Sequence, residues 1–139
     1  MSAAGTAFIG DVGNNLASRS IGHKQNTKVV FLLELLGLTK QSETKNIARL
    51  EKITAEKSLD IGCTAHAPYS TSPGAIQAIK KEADRNGRIF SLHVAESLPE
   101  IEFLQAGTGP LRDFLSDRGG WDNSFAIPGK GSVHYLDSL

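Results

Sequence analysis

Several of the usual anchors of a small protein are scarce. The 139 residues include one cysteine, one tryptophan and two tyrosines. A single cysteine excludes an intrachain disulfide, which fits a reducing compartment. Cys63 lies inside an apolar run and reads as a buried, inert thiol. An excess of one charge is also missing: 15 basic and 15 acidic residues give a formal net charge of zero. A dedicated nucleic-acid binder would show a basic surplus, so nucleic acid is not an expected partner. Lys80-Lys81 reads as part of a solvated helix face. The longest apolar stretch, 29–36, is broken by Glu34 and is too short to cross a bilayer. The opening Met1-Ser-Ala-Ala-Gly5 lacks a basic region leading into an apolar one, so no signal peptide is read. The cytoplasm is the expected location, with no membrane partner.

What is present is an alternation of short apolar runs and helical patterns. Runs at 7–12, 28–33, 59–65 and 88–92 read as strands, the first of them buried. Residues 16–26 are polar and glycine-punctuated, with weak helical character. Residues 34–38 fit either a strand exit or a helical turn. Helices are expected from Ser42 to about 57, from Ser72 to Gly87, from Ser97 to about Gly107, and over 110–117. Ser72 followed by Pro73, with Gly87 beyond the far end, is N-terminal and C-terminal punctuation of the second. Ser97-Leu-Pro-Glu100 has capping-box spacing. Residues 118–131 read as loop, and a last helix begins near Ser132. The pattern predicts an α/β fold with about four parallel strands and outer helices, an arc of about half a TIM-type (β/α)8 barrel. An arc leaves two open sheet edges, so self-association is expected, as is a place within a larger enzyme.

Two of the four histidines stand at strand ends. His66 opens His66-Ala-Pro-Tyr-Ser70, and His93 and Glu96 share the run Leu92-His-Val-Ala-Glu-Ser97. Carboxyl ends of neighbouring parallel strands converge on one face, so these residues should meet there. A neutral imidazole can bind a metal, and a carboxylate beside a metal-held water can move protons. His23, in the polar loop, reads as solvated, and His134 reads as scaffold in the last helix.

Those stretches carry a resemblance. Gly5-Thr-Ala-Phe-Ile-Gly-Asp11, Ala65-His-Ala-Pro-Tyr-Ser70, Ser91-Leu-His-Val-Ala-Glu-Ser97, Gly109-Pro-Leu-Arg-Asp-Phe-Leu115 and Ser132-Val-His-Tyr-Leu-Asp-Ser138 occur in a consistent order. Together they resemble the middle of a metal-dependent amidohydrolase of the cytosine, guanine and thiomethyladenosine deaminase and chlorohydrolase type. The resemblance implies a central barrel piece, with strands like the second to fifth barrel strands. The family's first-strand His-x-His pair, later metal ligands and any flanking β-domain would lie outside it. It implies that His93 ligates a divalent metal, zinc or iron, that Glu96 shuttles protons as catalytic residue, and that His66 contacts substrate, with Tyr69 shaping the pocket. The implied reaction is hydrolysis of a C–N or C–halogen bond of a small heterocycle by metal-activated water. With one ligand in hand, the chain alone is expected to be inactive and to bind zinc no better than a surface histidine. The competing reading is a non-catalytic α/β binding or scaffold module, flavodoxin-like in outline. Its signature would be a phosphate-cradling glycine loop, for which Gly10-Asp-Val-Gly13 is the candidate.

Overall fold

The computed structural model describes residues 4–15, 17, 28–56 and 61–139. Strands β1 (Phe8–Gly13), β2 (Lys28–Leu35) and β3 (Ile61–Ala65) form a parallel sheet in the order β1-β2-β3. Helices α1 (Lys40–Ala55) and α2 (Pro73–Arg85) follow β2 and β3, and α3 (Leu98–Ala106), α4 (Pro110–Asp117) and α5 (Ser132–Asp137) complete the described elements.

Strand alternation sorts the side chains of β2 and β3. Phe31, Leu33 and Leu35 of β2, with Ile61, Cys63 and Ala65 of β3, pack in one cluster with Leu50 of α1 and Ile76 and Ile79 of α2. Successive strand side chains point to opposite faces, so Glu34 and Thr64, paired in register, lie on the face away from those helices. A second cluster joins Leu38, Phe103, Leu104, Phe125 and Tyr135, with Trp121 packed against it. It seats α3 beside the strand ends.

Caps set the helix boundaries. The Thr39 side chain accepts the Ser42 N–H, so α1 begins three residues before the expected Ser42 cap. Ser72 caps α2 as expected, accepting from the Ala75 N–H. Ser97 caps α3 and accepts the Glu100 N–H, while Gly107 closes that helix with φ 70°. β2 runs on to Leu35, so Glu34 belongs to the strand.

Three expectations are corrected. The run 88–92 is not a fourth strand: it lies beside β3 without a backbone ladder. The Thr64 hydroxyl occupies the ladder's place, accepting the Ser91 N–H at 3.0 Å and donating to the Ser91 carbonyl. Arg88 Nη1 donates to the Ile61 carbonyl at 2.5 Å, and the His93 N–H to the His66 carbonyl at 2.9 Å. β1 is not buried: as the sheet-edge strand it leaves Phe8 51 % and Val12 41 % exposed. Gly10 and Gly13 lie within β1, in the parallel ladder with β2, so they form no phosphate-cradling loop. Most of 16–26, with its weak helical reading, lies outside the described residues. No helix among the described residues is long and apolar enough to cross a membrane.

Candidate active site

The exits of β2 and β3 are laced together. Thr71, fully buried, donates its hydroxyl to the Leu35 carbonyl at 3.1 Å and accepts the His66 N–H at 3.3 Å. The Gly37 N–H donates to the Ser70 carbonyl and the Ser72 N–H to the Gly37 carbonyl. Gly37 has φ 135°, which a side chain would strain, and a Cβ there would also meet Ser42. This stitching brings Glu34 and His66 to the same end of the sheet. The backbone bond from His93 to His66 carries the third residue there.

The side chains converge as the sequence predicts. The His66 and His93 rings lie 5.3 Å apart between centroids, and the Tyr69 ring meets His66 edge-on at 5.7 Å. The Tyr69 hydroxyl donates to Glu96 Oε2 at 2.9 Å, and Glu96 Oε1 lies 3.5 Å from His93 Nδ1. Burial, aided by the Glu96 carboxylate, pushes the Tyr69 hydroxyl up to about 12. His66 Nδ1 is 2.6 Å from Ser70 Oγ, which itself donates to the Ala67 carbonyl at 3.3 Å. Ser70 Oγ therefore accepts from His66 Nδ1–H, and the His66 Nε2 lone pair is left open.

The turn carrying Glu96 is held from below. Ala95 takes φ 56°, left-handed backbone that costs a non-glycine residue roughly 1–2 kcal/mol. Glu100, fully buried at the start of α3, supports it: one carboxylate oxygen accepts the Ala95 N–H at 3.0 Å, the other the Glu96 N–H at 2.7 Å. The capping-box glutamate thus reaches past Ser97 into the His93–Glu96 turn.

Sequence reading missed Glu34. Its carboxylate is 9 % exposed, with Oε1 3.9 Å from His93 Nε2. One ligand atom each from Glu34, His66 and His93 fall within 4.8 Å of one another. Two imidazoles and a carboxylate are a set that divalent metals accept, so the residues fit a metal. The signal was a lone charge inside the apolar run 29–36, one position from the end of a strand.

The other singled-out residues stay apart. His134 is exposed on α5. Lys80 and Lys81 are exposed on α2, with Lys80 paired to Asp84 at 2.6 Å. Burial raises the Cys63 thiol to about 11, in keeping with an inert core residue. His23 lies outside the described residues.

No family model matches the chain. An adenosine deaminase of Helicobacter pylori (strain ATCC 700392 / 26695) is 24 % identical over 115 residues, spanning 80 % of this chain and 28 % of that protein. Two structures of Helicobacter pylori aminofutalosine deaminase superpose with TM-scores of 0.75 and 0.74 at 21 % identity, the first in complex with methylthio-coformycin. Each superposition covers 96 % of this chain and 34 % of the other. The chain therefore shares its fold with part of a deaminase, and spans about a third or less of the relatives it matches. Both relatives are deaminases, the class that the sequence resemblance reached.

Proposed function

We propose that this chain is part of a metal-dependent hydrolase that removes an amino group from a small heterocycle. The observation that carries this reading is the meeting of His66, Tyr69, His93 and Glu96 at the carboxyl ends of a parallel sheet. The relatives act, by name, on adenosine and aminofutalosine, which favours C–N over C–halogen cleavage. In the whole enzyme β1, β2 and β3 would serve as the second to fourth strands of the barrel, with the run 88–92 in the place of the fifth. Elements beyond these 139 residues would complete the site, so the chain alone is expected to be inactive.

His93 is the metal ligand in this reading, and a bound zinc or iron would lower the pKa of the attacking water. Glu96 would take the first proton of that water and pass it to a ring nitrogen, then carry the second, from the added hydroxyl, to the departing amine as the C–N bond breaks. Its Oε2 is held by the Tyr69 hydroxyl, leaving Oε1 as the working oxygen toward His93. The open Nε2 lone pair of His66 accepts a hydrogen bond from the substrate's amino group.

The test is ammonia release from adenine nucleosides by a protein spanning the relatives' full length. Glu96→Gln should lower kcat by about 10²–10⁴-fold, the usual worth of a positioned general acid–base. Bound metal should be retained. A Glu96→Gln enzyme within tenfold of wild type would rule Glu96 out as the proton carrier.

A further inference from the structure

We propose that Glu34 and His66 together read both N–H groups of the substrate's leaving amine, which makes Glu34 the residue that selects an unsubstituted amino group. The inference rests on the hydrolase reading. It adds a specificity residue and narrows the substrate class to heterocycles bearing a primary amine.

Glu34 is a buried acceptor in want of a donor. Only 9 % of the residue is exposed, yet among the described residues none donates a hydrogen bond to its carboxylate. His93 Nε2, at 3.9 Å, is beyond hydrogen-bond reach. The register puts Glu34 on the sheet face away from α1 and α2, where it meets His66 and His93 at the mouth. A buried polar group left unpaired is costly, and a ligand that brings a donor removes that cost.

The spacing suits an amino group. Ser70 occupies His66 Nδ1, so the Nε2 lone pair is a second acceptor at the same mouth. The facing side-chain atoms of Glu34 and His66 lie within 4.8 Å of each other. Two acceptors flanking one planar amino group, each about 2.9 Å from its nitrogen along the two N–H directions, stand about 5 Å apart. The pair therefore fits a single amino group, one hydrogen to each. As the C–N bond breaks and the amine takes up its proton, the carboxylate favours the positive charge that builds there. A halide offers no hydrogen, and an N-alkyl amine offers one too few. A site built around a donor rejects a substrate that lacks it, because its own acceptor is then left unpaired.

The experiment uses a protein spanning the relatives' full length and three substrates: adenosine, its N-methyl analogue, and the analogue with chloride in place of the amino group. Glu34→Ala should lower kcat/KM for ammonia release from adenosine by roughly 10–150-fold, the worth of one hydrogen bond to a charged acceptor. Chloride release should stay near the wild-type rate. The N-methyl analogue should suffer a similar penalty in the wild type, and that penalty should largely vanish in Glu34→Ala. Bound metal, read by elemental analysis, should be unchanged. Glu34→Gln, nearly isosteric, keeps a neutral acceptor; it should show a smaller loss of the same selectivity and decides the matter if circular dichroism shows Glu34→Ala unfolded. Equal losses on the amino and chloro substrates, no loss on either, or loss of the metal overturns the assignment and leaves the hydrolase reading standing on Glu96. Absence of ammonia release from the wild type defeats that reading, and this inference with it.

Discussion

Replacing Glu100 should unfold the chain more readily than its place on a short helix suggests. Its carboxylate accepts the Ala95 and Glu96 N–H groups, and no part of it reaches solvent. Hydrogen bonds to a charged acceptor contribute about 1.5–3 kcal/mol each. Glu100→Ala removes both at once and leaves two donors beneath α3. The left-handed Ala95 then loses the contacts that offset its roughly 1–2 kcal/mol conformational cost. Partial relaxation of the turn toward water recovers some of this, so a loss of about 3–5 kcal/mol is expected. Glu100→Gln keeps one acceptor but turns an amide donor toward the other N–H, and should cost about half as much. Ala95→Gly removes the strain at its source and should be neutral or stabilising by up to about 1 kcal/mol. Urea unfolding followed by far-UV circular dichroism reads all three. A Glu100→Ala loss below about 1 kcal/mol would refute the account, because the turn would then not depend on that carboxylate.

Three further predictions concern other parts of the chain. Tyr69 and Tyr135 are both raised to about 12, each by burial first, so tyrosine ionisation in the folded chain should have its midpoint near 12, against about 10 in urea. Stability from these groups is complete below pH 10 and is lost as pH rises toward 12; a folded-state absorbance midpoint near 10 would contradict this. Val12→Lys puts a charge on the exposed β1 edge and should shift any self-associated species toward monomer in sedimentation, whereas an unchanged distribution would clear that edge of the association. Phe103→Ala empties a fully buried position in the second cluster and should cost about 3–5 kcal/mol in the same urea assay.

The legible parts were those governed by short-range rules. Ser72-Pro73 and Ser97 announced α2 and α3 because an N-cap satisfies local donors whatever surrounds it. His66 and His93 were placed together because parallel strand ends converge. The failures came from tertiary terms. Phe8 and Val12 look like core residues, but exposure at a sheet edge depends on which strand pairs beyond. The run 88–92 has strand composition, yet Thr64 satisfies Ser91 through a side chain, which composition cannot report. Glu34 was read as an interruption, since its meaning depends on the register that sets it opposite Thr64 near His66.

The segment bearing His93 hangs beside the sheet like a rail fixed at intervals. Arg88 fastens its start, the Thr64 hydroxyl its middle, and one backbone bond from His93 to His66 its end. At the rim that bond acts together with the Tyr69–Glu96 bond and the Glu100 carboxylate beneath the turn. The rim histidine is therefore set by point contacts to the β3 exit and to α3, where a neighbouring strand would have set it by a continuous ladder.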